Sequence, residues 1–163
     1  MKTLLLIRHG KSSWDDVSLN DFDRPLNDRG KQDAPAMAGR LQDKKTEIDV
    51  LISSPAKRAG RTAKIFAKEY GINKADIIYK TELYLASAEV FYEVISKADD
   101  KFEHIAVFSH NPGLTDFANE LTDIKVDNIP TCGIFAIRIE TKPWVDFKNA
   151  RKEFWFFDYP KAN

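Results

Sequence analysis

The sequence predicts a three-layer α/β/α sandwich with a mostly parallel central sheet and an antiparallel hairpin at its C-terminal end. Two observations carry this expectation. Apolar runs of strand length alternate with segments of helical period along most of the chain, and the last part loses the helical period altogether. Strands alternating with helices imply parallel pairing through right-handed crossovers, with helices on both faces of the sheet.

Thr3 to Ile7 is apolar at every position but the first, as expected of a strand buried on both faces, and it ends at Arg8-His9-Gly10. A helix follows with Ala34, Met37, Ala38 and Leu41 on its apolar face, although Pro35 should kink it or push its regular part later. Asp49 to Ser53 reads as the second strand. Ala59, Ala63, Phe66, Ala67 and Tyr70 then recur at the spacing of a helix packed on a sheet, closed by Gly71. Asp76 to Tyr79 is a short strand candidate, and Val90, Phe91, Val94 and Ile95 mark a third helix. His104 to Ser109 is a strand rich in branched and aromatic residues, followed by a helix with Leu114, Phe117, Ala118 and Leu121 inward. Gly133 to Ile139 and Glu153 to Asp158 are the arms of the terminal hairpin. Trp144, Phe147, Trp155 and Phe157 in this region are expected to pack on the sheet rather than form a partner surface.

A chain of 163 residues with 43% hydrophobic content can bury one substantial core, so a single domain over 1–163 is expected. Its 25 basic residues balance its 25 acidic ones, which leaves no global field to draw it to nucleic acid or an anionic membrane. Any anion selectivity must be local. The single cysteine, Cys132, closes no intrachain disulfide, and no Cys/His spacing resembles a zinc site. The apolar run at Thr3 to Ile7 stops at Arg8, short of a signal-peptide core, and no stretch is long enough to span a membrane. A cytoplasmic protein is the expectation.

In an open α/β sheet, ligands bind beyond the carboxyl ends of the strands. Three strand ends carry unusual residues: Arg8-His9-Gly10, Ser53-Ser54-Pro55-Ala56-Lys57-Arg58, and His110-Asn111-Pro112-Gly113. Ser54-Pro55 and Asn111-Pro112 each place a capping residue before a proline suited to the first helical position, so two helix N-termini should point at the same edge. Free backbone N–H groups there, with arginine forks, make a site for a phosphoryl group. A histidine among such cations should have its charged form disfavoured by like charge, which leaves a neutral nitrogen able to attack phosphorus. His9 is the expected nucleophile. Phosphoryl transfer needs in-line placement and charge stabilisation, which Arg8, Arg58 and His110 can provide, so no metal and no cofactor is expected.

Arg8-His9-Gly10, Arg58 within Ser-Ser-Pro-x-x-Arg-Ala and the late His110 together resemble the histidine phosphatase superfamily, also called phosphoglycerate-mutase-like, over nearly the whole chain. The segments Lys11-Ser12-Ser13-Trp14, Asp23 to Gly30 and Leu83-Tyr84-Leu85-Ala86-Ser87 are similar to its SixA-like phosphohistidine phosphatase branch. The resemblance implies a phosphohistidine intermediate on His9, with Arg8, Arg58 and His110 forming the phosphate pocket. For the proton donor to the leaving group it points to Glu82, with Asp15 or Asp16 as alternatives. A phosphohistidine substrate has a labile P–N bond and needs such an acid less.

Each of these residues has a plainer alternative. His9 and His110 would then cap strands, Arg8 and Arg58 would sit in buried salt bridges, and Glu82 would be a solvated loop residue. Lys11, Ser12 and Ser13 either line the pocket mouth, with Ser12 touching substrate, or cap a turn. His104 is most simply an edge residue. The convergence of three strand ends favours a phosphatase acting on phosphohistidine in proteins, since so short a chain has little room for the lid that encloses a small substrate. The alternatives are a phosphatase for a small phosphoester and a non-catalytic phosphate-binding adaptor. The physiological partner and the oligomeric state are not written in the sequence.

Overall fold

A computed structural model describes residues 1–162, and one six-stranded sheet organises them. The strands are β1 (Lys2–Arg8), β2 (Val50–Ser53), β3 (Ile78–Tyr79), β4 (His104–Ser109), β5 (Ile134–Glu140) and β6 (Arg151–Asp158), in the spatial order β3-β2-β4-β1-β5-β6. β1, β4, β2 and β3 pair in parallel. β5 is antiparallel to both its neighbours and alone runs against the other five.

The helices are α1 (Asp28–Asp43), α2 (Lys57–Glu69), α3 (Ala88–Ser96) and α4 (Gly113–Leu121). The two-residue period of β1 divides its apolar run between two cores. Leu5 and Ile7 join Leu51, Ala106 and Phe108 against Ala34, Met37 and Leu41 of α1 and Ala63, Phe66 and Ala67 of α2. Leu4 and Leu6 face the other way, with Val107, against Phe91 and Ile95 of α3 and Leu114 and Phe117 of α4. Burial on both faces explains why the central strands are apolar at nearly every position. In the connection of the terminal hairpin, Trp144 and Phe147 are fully buried, and Trp144 Nε1 donates to the Phe102 carbonyl at 2.8 Å. Trp155 and Phe157 pack partly buried against the cores. The aromatic residues of this region thus pack on the sheet.

Local details correct three expectations. Pro35 lies inside α1 without delaying it, because Asn27 Oδ1 accepts from the Gly30 N–H at 2.9 Å and the apolar face holds the helix past one missing hydrogen bond. The short strand expected at Asp76 to Tyr79 is confined to Ile78–Tyr79: Asn73 Oδ1 accepts from the Ala75 N–H and turns Lys74–Asp76 into a 3₁₀ turn. Nor does either proline open a helix. Ser54 Oγ accepts from Ala56 N–H and α2 begins only at Lys57, whereas Asn111 Oδ1 accepts from the N–H and hydroxyl of Thr115 across a cis Asn111-Pro112 bond. Both helices nevertheless start at the expected edge. α4 packs so closely there that a Cβ on Gly113 would lie 1.7 Å from the Ala86 carbonyl oxygen, and only glycine fits.

Candidate active site

The strand order decides which residues meet. β2, β4 and β1 are adjacent and parallel, so their carboxyl ends share one edge. The register pairs Arg8 with Ser109, and the next residue on each strand is a histidine. The His9 N–H donates to the Ser109 carbonyl at 3.3 Å, and the rings of His9 and His110 stand 5.1 Å apart between centroids. The first turn of α2 delivers Arg58 beside them. Residues 49 and 52 positions apart in sequence become neighbours through three parallel strands.

His9 is buried. Its Nδ1 lies 2.7 Å from the Gly10 carbonyl oxygen, which can only accept, so Nδ1 carries the hydrogen and Nε2 the lone pair. Burial pushes its pKa down to about 3, with the charges of His110, Arg58 and Arg8 adding and the Gly10 carbonyl opposing. Neutrality was expected from like charge. Its main cause is instead the loss of water around the ring, and the cations are secondary. His110 is also pushed down to about 3 by burial and then Arg58, against the pull of Asp21. Its Nε2 contacts Ser54 Oγ at 2.8 Å, while its buried Nδ1 has no partner among the described residues.

Arg58 Nε donates to His9 Nε2 at 3.3 Å, and its two terminal nitrogens donate to the Asp21 carbonyl at 2.6 Å and to Asp21 Oδ2 at 3.0 Å. Its plainer alternative, a salt bridge, is therefore present, though with a carboxylate at the mouth whose side chain is 45% exposed. Arg8 forms no ion pair among the described residues. It donates to the Ile129 carbonyl at 3.1 Å and keeps a buried, unpartnered Nε.

Asp21 is the organising group that sequence reasoning missed. Besides Arg58 it receives the Tyr84 hydroxyl at 2.6 Å and Arg24 Nη2 at 2.9 Å. Burial works to raise its carboxyl, but these three donors outweigh it and hold the group well below the ordinary carboxylate range. Arg24 also donates to Ser12 Oγ at 2.7 Å and stacks 3.5 Å above the Trp14 ring. Arg24, Trp14 and Tyr84 stand in the segments that carry the family resemblance, which was the available signal. Asp21 lies in a loop without period and offered none.

Arg8, His9, Arg58 and His110 line one cavity of about 260 Å³, together with Lys11, Ser12, Trp14, Arg24, Asn111 and Thr131. Ser12 thus reaches the mouth, where it is held by Arg24, whereas Ser13 Oγ accepts from the Asp15 N–H and caps a turn. The cavity does not bring in the three candidate acids. Glu82 is exposed on the 3₁₀ turn Thr81–Leu83, and Asp15 and Asp16 are exposed, with Asp16 bonded to Ser18. His104 pairs with Glu47 at the far end of β4. No group of three metal-ligating side chains gathers among the described residues.

The two depressed histidines make stability depend on pH in a definite direction. In the unfolded chain each takes up a proton near 6.5, in the folded chain only near 3. Between those values the unfolded state binds more protons, so stability falls as pH drops through that window, by up to about 1.4 kcal/mol per pH unit per histidine. The Tm is expected to decline from pH 6.5 toward 4, and His110→Gln to flatten the decline. An identical slope in wild type and variant would contradict it.

A buried neutral histidine at the end of a parallel strand, sharing one cavity with two arginines and a second histidine, makes a pocket able to hold a phosphoryl group. The chain belongs to the histidine phosphatase superfamily: residues 4–84 match its branch 1. An uncharacterized protein of Mycobacterium tuberculosis (strain ATCC 25618 / H37Rv) is 31% identical over 150 residues, 86% of this chain and 90% of that one. Phosphoserine phosphatase 1 of Hydrogenobacter thermophilus is 33% identical over 106 residues, 63% of this chain and 49% of that protein. The protein histidine phosphatase SixA, solved as its tungstate complex, shares the fold with a TM-score of 0.82 at 20% identity over 97% of both chains. The activity class is that of a phosphatase.

Proposed function

We propose that this protein is a metal-independent phosphohistidine phosphatase, a single catalytic unit over 1–163 that dephosphorylates proteins through a covalent intermediate on His9. The observation that carries the substrate assignment is the absence of an acid. Among the described residues no aspartate or glutamate lines the cavity, Asp21 is held ionised beside it, and Glu82 stands exposed outside. A phosphoester expels an alkoxide, which needs a proton delivered by the enzyme. A phosphohistidine expels an imidazole that takes its proton from water.

The phosphoryl oxygens are taken by Arg8, Arg58 and His110, which line the cavity around His9. Arg58 Nε turns from the His9 lone pair to an oxygen, and Nε2 attacks phosphorus in line as the substrate's P–N bond breaks. Water then attacks the phosphorus on His9, and inorganic phosphate leaves with the nitrogen's electron pair restored. The rim fits a macromolecular substrate: Trp14 is 74% exposed, Leu85 is 64% exposed, and Phe22 packs edge-on to Tyr84. No described helix is long and apolar enough to cross a membrane, and the charge balance and single buried cysteine are in keeping with a cytoplasmic setting.

The test incubates purified protein with a phosphohistidine-bearing protein and with an aryl phosphate, His9→Ala serving as control. Turnover of the first should greatly exceed that of the second, and Glu82→Gln should leave it within about twofold. A loss of more than tenfold on phosphohistidine in Glu82→Gln would place that residue in the machinery and overturn the argument. Preference for esters would favour the small-phosphoester reading, which the likeness to phosphoserine phosphatase 1 supports. Phosphate binding without turnover would favour the adaptor.

A further inference from the structure

A cavity of about 510 Å³ lies outside the active site, between the start of α1 and the exposed face of α2. Five cations line it: Lys31, Arg61, Lys64, Lys68 and Lys74. No carboxylate does. Its floor is apolar and includes Leu26 and Ile65. None of the five cations forms an ion pair among the described residues, although cations elsewhere on the surface, such as Arg29, Arg40 and Arg151, do. In a chain whose 25 basic and 25 acidic residues cancel, this is a local surplus of positive charge that its own surface does not neutralise.

The groove and the active-site cavity share no lining residue, but α2 contributes to both. Arg61, Lys64 and Lys68 lie on the helix that presents Arg58, so the charged row starts about 4.5 Å along the axis from that residue and reaches about 15 Å. Leu26 follows the loop of Arg24 and lies against Gly10, the residue after the nucleophile. A partner whose phosphorylated side chain enters the cavity at His9 has this row within about 5 to 15 Å of Arg58 along the helix.

On the reading of the function proposed above, we infer that the α2 groove is the docking surface for the phosphorylated partner, and that this partner presents an acidic surface with an apolar side chain beside its phosphohistidine. The carboxylates meet the unpaired cations, and the apolar side chain sits over Ile65. Such complementarity acts on encounter and on partner choice more than on the chemical step.

The experiment compares Lys64→Glu/Lys68→Glu with a control of equal net charge, Lys97→Glu/Lys142→Glu, whose residues are exposed and outside the groove. The substrates are an acidic phosphohistidine-bearing protein and free phosphohistidine, which offer the same P–N bond with and without a partner surface. For the groove variant, kcat/KM on the protein substrate should fall at least about tenfold, carried by KM. Turnover of free phosphohistidine should stay within about twofold, and the control variant should lose less than about threefold on the protein. Added salt should depress wild-type activity on the protein and leave the groove variant flat. Lys64→Ala/Lys68→Ala should fall between, and unchanged Tm values verify the fold. Equal losses on both substrates, or an equal loss in the control, would overturn the inference. If wild type acts on the protein and the groove variant matches it, the docking surface alone fails. If wild type acts on aryl phosphate but on neither phosphohistidine substrate, the proposed function fails and the docking surface falls with it.

Discussion

Replacing His9 with alanine is expected to reduce kcat on a phosphohistidine substrate by at least about 10⁴-fold and to remove the phosphoenzyme completely. His9 Nε2 carries the lone pair, which accepts from Arg58 Nε until a phosphoryl group arrives, because the Gly10 carbonyl holds the hydrogen on Nδ1. Its low pKa keeps that pair unprotonated through the whole physiological range, so no neighbouring base is needed to activate it. His110 cannot take over, since its Nε2 is engaged by Ser54 and its Nδ1 is buried. Rapid acid quenching of wild type with labelled substrate checks the mechanism: the label should be acid-labile and stable to base. An active wild type that yields no labelled enzyme, or a His9→Ala enzyme within a hundredfold of wild type, would contradict it.

Arg58→Ala should lower kcat by about 10²- to 10³-fold, the usual loss when a preorganised donor to a developing anion is removed. Arg58 is 4% exposed, and it joins two parts of the site. Its Nε stands on His9 Nε2 and its fork on Asp21, so removal both takes a cation from the pocket and frees the mouth loop. Arg58→Lys should recover little, because an ammonium cannot span His9 and both Asp21 oxygens at once. Kinetics on phosphohistidine, with tungstate inhibition as a binding readout, separate the two effects. A lysine variant with near wild-type kcat would show that charge alone suffices.

The three-layer architecture was legible because a strand buried on both faces must be apolar at successive positions, and a helix packed on a sheet must repeat its apolar residues every three or four. Those patterns located β1 and β4 almost to the residue, and the apolar face of α2. The helix starts were misplaced because a cap depends on the path of the turn, which the Ser54-Pro55 and Asn111-Pro112 dipeptides do not encode by themselves. The four pocket groups His9, Arg8, Arg58 and His110 stood out because each follows or starts an element at one sheet edge. Asp21 did not, because its role comes from what Arg58, Arg24 and Tyr84 reach across space.

The sequence by itself determined the alternation of elements, the placement of charged residues at strand ends and the absence of any global charge, since these are properties of residue type and spacing along the chain. Only the tertiary structure decided how those residues act. Most water is excluded from His9 by the packing around its cavity, the three strand ends meet because β4 lies between β1 and β2, and the lysines of α2 form a groove only because α1 and the Leu26 loop close its other wall. Electrostatic free energy depends on distance and on solvent access, and neither exists until the chain has folded.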